Sequence, residues 1–342
     1  MNHRKIAELA HVSTSTVSKA LSGNKEISDE LAEQIRQIAI DIGYFSEKNK
    51  RKFNNKRKKQ AQIAVICPEI ISIHYSRIIT LLKSFIEERD GRIAVYIYDF
   101  NISKRDDYIE SLATDGITDG IIVFSALKYQ KSFGIPVVCF DAFYPNGYYD
   151  SVGVDISEVL RDCIGYLTEL GHKDIGFIGE PRTSRKEDCY RQAMQNAGHV
   201  VNEDFVYNMD DRFESIGREA AKLIISSQYR PSAFITAYDE IAVSLIYYLQ
   251  EAGISVPEHI SVIGMNDIPL APYSYTSLTT VRFFYDEQAA LAVDILYDKI
   301  FGVSDEIHHL KVKHEMIIRN STEVVYTAKN DRDANLEVKP KD

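Results

Sequence analysis

The sequence predicts a small all-α head at the N-terminus, followed by a larger α/β body in two parts built on parallel sheets. Three observations carry this. Residues 4–45 repeat apolar positions at i, i+3 and i+4, the spacing of short helices. From Ala61 onward, short apolar runs of strand length alternate with helical patterns, as expected for strands covered by helices on both faces. A chain of 342 residues exceeds one ordinary core, so two or three domains are expected.

Taken in order, Ile6, Leu9 and Ala10 mark a first helix over about 4–10, and Val17, Ala20 and Leu21 mark a second starting near Ser15. A third runs from about Asp29 to Gly43. Ser28-Asp29 offers its N-cap, Leu31, Ile35, Ile38 and Ile42 its apolar stripe, and Gly43 its stop. Between Lys48 and Lys59, eight of twelve residues are Lys or Arg and Phe53 is the only apolar one. Such a segment buries no core and is expected to be poorly ordered alone. The strand-like runs are IAVIC (63–67), IAVYIY (93–98), GIIVF (120–124), PVVCF (136–140), IGFIG (175–179), SAFITAY (232–238) and SVIGM (261–265). From about Glu323 a polar tail follows, without the leucine heptads of a coiled coil.

Composition narrows the function. Apolar residues make up 45%, ordinary for a globular protein, and no run of about 18 apolar residues marks a membrane span. The N-terminus MNHRKIAELA lacks the apolar core and cleavage site of a secretory signal, so a cytoplasmic protein is expected. Cys67, Cys139, Cys163 and Cys189 form no CxxC pair and are expected to be reduced thiols packed as small hydrophobes; no metal or cofactor is expected. The net charge of −10 hides an asymmetry: residues 1–60 carry 13 Lys/Arg against 7 Asp/Glu, the rest 27 against 43. An acidic protein with a basic head points to localised nucleic-acid contact.

The stretch HVSTSTVSKAL (11–21) supplies that contact's chemistry. Five of its eleven residues are Ser or Thr, poor helix formers in a helical pattern. Ser13 can cap the second helix. Thr14, Ser15, Thr16 and Ser18 let a helix approach the DNA major groove closely and touch phosphates or base edges, with Lys19 adding charge.

Residues 5–44 resemble the helix-turn-helix head of the LacI/GalR family of sugar-responsive bacterial repressors. The matching positions are Ile6-Ala7, Ala10, Val12-Ser13, Thr16-Val17-Ser18-Lys19, Leu21 and Gly43-Tyr44. LGHKDIGFIG (170–179), residues 232–269 and SLTTVRFF (277–284) extend the likeness to about residue 322. The resemblance implies a helix-turn-helix DNA-binding domain (1–46), a basic hinge (47–60), a periplasmic-binding-protein-like sensing domain (61–322) and a polar tail (323–342). The sensing domain would consist of two Rossmann-like subdomains joined by three crossovers, about 61–157 with 284–315 and about 158–283 with 316–322. It further implies that Thr14 and Ser15 set operator choice, that Thr16, Ser18 and Lys19 contact phosphate, and that a hinge residue wedges into the minor groove. Alignment from Tyr44 places Phe53 at that wedge, an accepted intercalating type. The Lys-, Arg- and Asn-rich surroundings depart from the family's Ala-rich hinge and imply strong, salt-dependent phosphate attraction.

For a sugar effector held between subdomains, the resemblance points to Asp141 at the end of PVVCFD and Asn266 in GMND. Asp239 follows the strand FITAY, and all three stand at strand carboxyl ends, where open α/β sheets bind ligands. The family Arg falls on Lys186, with Arg185 beside it, and a Lys lacks the bidentate fork. Tyr75, and Arg212 or Phe213, are weaker candidates. The runs CFDAFYPNGYYDSVGVD and SLTTVR look most like the subgroup controlling galactose and β-galactoside operons, implying a galactose-type effector and a homodimer. Two other classes compete. A sugar-binding transport protein would need no helix-turn-helix. An enzyme is disfavoured because no GxxxxGK[ST] and no GxGxxG after the first strand occur, and Asp210-Asp211 reads as a solvated loop pair.

Overall fold

The helical head and the α/β body each follow from how their apolar positions are spaced. The structure is a computed structural model describing residues 3–22, 27–42, 60–141, 143 and 147–325. Gly43-Tyr44, Phe53 and the basic run lie outside the described residues.

In the head, α1 spans His3–Leu9, α2 Thr14–Ser22 and α3 Asp29–Asp41. Their core is Ile6, Ala7, Ala10, Val17, Ala20, Ala32, Ile35 and Ala39, flanked by half-buried Val12, Ile27, Leu31, Ile38 and Ile42. Ile6, Ala10, Val17, Ala20 and Ile35 are buried as expected, whereas Leu9 is 49% exposed and Ala7 is buried in its stead. In α3 the alanines take the centre and the larger Leu31, Ile38 and Ile42 the flanks. Three short helices around so small a core approach closely only where side chains are small.

The chain divides into two units, 1–152 with 288–310 and 153–287 with 311–342. The divisions fall a few residues from 157/158, 283/284 and 315/316. Each falls inside an element, near one of its ends: β5 is Asp150–Gly153, α10 Tyr285–Phe301 and β11 His309–Lys311.

The first unit carries a six-stranded sheet in the order β11-β5-β4-β3-β1-β2, with β1 Gln62–Cys67, β2 Arg92–Ile97, β3 Gly120–Val123 and β4 Val137–Phe140. Strands β1 to β5 pair in parallel, for example Ile63 beside both Ile93 and Gly120. β3, β4 and β5 are buried throughout and β1 beyond Gln62, whereas β2, at the sheet edge, is half exposed. Helix α4 (Ile73–Glu87) buries Ile78, Leu82 and Ile86, each contributing on the order of 1.5–3 kcal/mol. Helix α5 (Ile102–Thr114) buries Ile109 and Leu112. α10 closes on β3 so tightly that a Cβ at Gly120 would lie 2.8 Å from Leu296.

The second unit repeats the plan in the order β12-β10-β9-β8-β6-β7. Here β6 is Ile175–Gly179, β7 Val206–Asn208, β8 Ala233–Thr236, β9 Ser261–Met265, β10 Thr279–Phe283 and β12 His314–Ile317. All neighbours are parallel except β10 and β12. Its helices are α6 (Ile156–Glu169), α7 (Ser184–Asn196), α8 (Glu214–Ser226) and α9 (Asp239–Glu251). The expected polar tail begins later than Glu323. The Glu323 N–H donates to Ser261 Oγ at 3.1 Å and the Val325 N–H to the Leu170 carbonyl at 2.9 Å, stitching 323–325 to the unit. Among the described residues, no helix is long and apolar enough to cross a membrane. Cys67, Cys139 and Cys163 are buried, and desolvation pushes their thiols up to about 11, 11 and 12, which makes them poor nucleophiles at neutral pH. Cys189 is half-buried.

Candidate functional site

Three surfaces gather the residues that the sequence singles out. The first is the start of α2. Ser13 Oγ accepts the Thr16 N–H at 3.0 Å and lies 2.8 Å from Thr16 Oγ1, while its carbonyl accepts the Val17 N–H. Ser13 therefore caps α2, and Thr16, half-buried, shares in the cap. Val17 and Ala20 turn inward, leaving Thr14, Ser15, Ser18 and Lys19 on the exposed face. These short side chains and one cation suit the close backbone approach that a groove-reading helix needs.

The second is the carboxyl edge of the first sheet. Ser72 caps α4 by accepting the Tyr75 N–H at 3.2 Å, fixing the turn that carries His74 and Tyr75. Asp141, just past β4, places Oδ2 3.2 Å from His74 Nε2. Tyr75 meets His74, Phe124 and Phe100 edge-on at centroid distances of 4.7, 5.7 and 6.5 Å. The structure thus brings Tyr75 and Asp141 together. It adds His74, Phe100 and Phe124, which the sequence reading missed because they reach this edge from three separate segments of the chain. Asp99, Phe100 and Asp141 all hold left-handed φ values, 52°, 59° and 57°. Such strain in non-glycine residues collects at functional sites. A carboxylate beside aromatic faces can bind hydroxyls and stack a sugar ring.

The third is the carboxyl edge of the second sheet. Its centre is Glu180, 1% exposed, which follows β6 and which sequence reasoning also missed. Its carboxylate accepts from the Tyr238 hydroxyl (3.0 Å), Arg212 Nε (3.2 Å) and Arg182 Nη1 (3.0 Å). An acid directly after a strand was the available signal, the same one that marks Asp141. Tyr238 also accepts the Phe213 N–H at 3.1 Å, and burial raises its phenol above the usual range. Phe213 holds φ at 57° and lies under the Arg212 guanidinium, 4.4 Å from ring centroid to Cζ. Lys186 donates to the Ala237 carbonyl at 2.6 Å, and Arg185 beside it is exposed. Lys186, Arg212 and Phe213 therefore come together around Glu180 and Tyr238.

Asp239 and Asn266 are placed differently. Asp239 is fully buried. It accepts from Thr280 Oγ1 at 2.6 Å and from the Ile268 N–H at 2.8 Å, and burial pushes its carboxyl up to about 8. This corrects the expectation that it meets a ligand: its oxygens face β10 and the turn after β9. Asn266, 7% exposed, accepts from the Tyr285 hydroxyl at 3.1 Å, which fixes its amide at the end of β9. Among the described residues, no three His, Cys, Asp or Glu side chains group to hold a metal.

Known proteins combine the same parts. Residues 4–47 match the lacI family of bacterial regulatory proteins, and residues 164–322 match the periplasmic binding protein-like domain. Over 328 residues the chain is 26% identical to the HTH-type transcriptional repressor CytR of Escherichia coli K12, covering 93% of this chain and 95% of that protein. It is 27% identical over 330 residues to the HTH-type transcriptional repressor PurR of Vibrio campbellii, covering 93% and 97%. The fold matches a LacI family transcriptional regulator from Lactobacillus casei with bound sucrose, at TM-score 0.68 and 20% identity, over 77% of this chain and all of that one. With a capped helix-turn-helix head and a doubled α/β body, this chain joins a lacI-family helix-turn-helix domain to a periplasmic binding protein-like domain, the combination found in LacI-family repressors.

Proposed function

We propose that the protein is a transcriptional repressor of a carbohydrate-utilisation operon, working as a cytoplasmic homodimer and controlled by a small sugar. The observation that carries this is the Ser13-capped start of α2, with Thr14, Ser15, Ser18 and Lys19 exposed on one face. On operator DNA, Thr14 and Ser15 read base edges, while Thr16, Ser18 and Lys19 hold phosphates. Phe53, outside the described residues, wedges into the minor groove. The candidates for sugar contact are, in the first unit, Asp141 and Tyr75 at the carboxyl edge of its sheet and, in the second, Phe213, Arg185 or Lys186 and the Asn266 amide at the carboxyl edge of its own sheet. The sugar alters operator affinity only through a difference in its affinity for two arrangements of the protein.

The resemblance of residues 139–155 and 277–282 to regulators of galactose operons supports galactose or a β-galactoside as effector. A second reading, a phosphorylated sugar, is favoured by the pairing of both Arg182 and Arg212 with the single buried Glu180, because guanidinium forks suit phosphate. One experiment separates them: binding of the protein to DNA upstream of its neighbouring operon, at fixed salt, with galactose, lactose, allolactose, glucose and hexose phosphates. Release by a neutral galactoside supports the first reading and release by a phosphate ester the second. Specific binding that no sugar alters removes the sugar reading and leaves the DNA half standing.

A further inference from the structure

A cavity of about 740 Å³ in the first unit lies away from its carboxyl edge. It opens at the opposite edge of the sheet, where Asp119 precedes β3, Pro136 precedes β4, Asp150 begins β5 and α10 ends at Lys299 and Ile300. A space of this size accommodates an extended small molecule.

In its lining, three acids stand against two lysines. Asp119 and Asp150 are 5% and 3% exposed and Asp305 is exposed, against Lys131 and Lys299. Lys131 is itself held by Glu110, so the surroundings carry an excess of acid. The aromatic side is equally plain. Phe133 and Tyr149 stack with centroids 5.9 Å apart, and Tyr148 stands 53% exposed at the mouth. The two lysines already act out how this site treats a cation. The Lys131 ammonium lies 5.6 Å from the Phe133 ring centroid, and the Lys299 ammonium sits 3.1 Å from Asp150 Oδ2. Aromatic faces and desolvated carboxylates together are the recognised receptor for ammonium and guanidinium groups.

We propose that this pocket binds an organic cation, an ammonium or guanidinium group on a flexible apolar stem. Two sources share that chemistry. One is a free aliphatic amine. The other is the chain's own run of eight Lys and Arg in residues 48–59, because that run closely precedes in sequence Gln62, which is tied to the pocket-lining Asp119. Gln62, the first residue of β1, exchanges two 2.8 Å hydrogen bonds with Asp119. The proposal is independent of the sugar and of the operator.

The test is calorimetric titration of the full-length protein with spermidine, without DNA, at one fixed salt concentration. Four proteins are compared: wild type, Tyr148→Ala, Asp305→Asn, and a variant with the eight Lys and Arg of 48–59 changed to Gln. One-to-one binding by both wild type and the Gln variant identifies a free amine as the occupant. Binding by the Gln variant alone identifies the basic run. In the protein that binds, Tyr148→Ala and Asp305→Asn, introduced there, each weaken affinity at least tenfold; the second keeps the test intact if the first fails to fold. The proposal is overturned if neither wild type nor the Gln variant binds, or if binding is indifferent to both pocket substitutions.

Discussion

Asp239 and Gly264 share one space: an ideal Cβ on Gly264 would lie 2.1 Å from Asp239 Oδ1. In register, Gly264 pairs with Thr280, whose hydroxyl donates to that same oxygen. A carboxyl at the start of α9 thus ties β9 to β10, and the missing side chain at 264 makes room for it. Gly264→Ala is expected to cost about 1–3 kcal/mol, the range for overpacking a filled core. Urea unfolding checks this: the midpoint falls with an unchanged slope. An unshifted midpoint would show that the Asp239 side chain moves aside freely.

The carboxyl of Asp239 also sets a pH dependence. Burial raises its folded-state pKa to about 8 against an ordinary 3.8. Between those values the folded protein holds the proton more tightly than the unfolded chain, so this group's contribution to stability declines as pH rises from about 4 to 8. Asp239→Asn, nearly isosteric with the protonated acid, is expected to gain stability relative to wild type as pH goes from 5 to 8. Thermal melts of both proteins at several pH values read it directly; a constant difference would mean that Asp239 is ionised throughout.

Asp141 and Asp239 occupy comparable places in the sequence, each just past a strand, yet only Asp141 reaches the surface edge, beside His74. Asp141→Ala is expected to abolish the effector response while leaving operator affinity within about twofold. Asp239→Asn should keep the response. Operator binding by fluorescence anisotropy, with and without the active sugar, distinguishes the two, and a response surviving in Asp141→Ala would remove that residue from the site.

Ser13 and Ser15 are likewise separable. Ser13→Ala loses the cap of α2 and should cost the head about 1 kcal/mol, whereas Ser13→Gly should cost a few tenths, because glycine is tolerated at an N-cap. Ser15→Ala, on the exposed face, should leave the head's melting temperature unchanged and lower operator affinity. Equal melting temperatures for Ser13→Ala and Ser13→Gly would count against the cap.

The strands that read clearly in the sequence are those covered on both faces. IAVIC, GIIVF, PVVCF, IGFIG and SVIGM are continuous apolar runs because no face of them meets water. β7, β11 and β12 are three or four residues long and half-buried, and leave no such run. In the head the helices and most of the inward face were legible; Leu9 misled, since a leucine outranks an alanine by hydropathy, yet Ala7 is the residue buried there. The effector edges were half legible for a related reason. A strand-end acid is visible in the chain, but whether it faces ligand or core depends on Gly264 and Thr280, 25 and 41 positions beyond Asp239. Glu180 was hidden in the same way, its role resting on Arg212 and Tyr238, which arrive from later loops.

The discontinuous first unit also governs the order in which the molecule is made. Its sheet is interrupted at Val152 and completed only by Gln288–Leu310. At roughly 5–20 residues per second the ribosome needs on the order of 10 s to supply that second piece. Until then β3 lacks the Leu296 and Ile300 side chains that close over Gly120, and β5 lacks its neighbour β11. The nascent chain therefore carries an open sheet edge and an uncovered apolar face through nearly half of its synthesis.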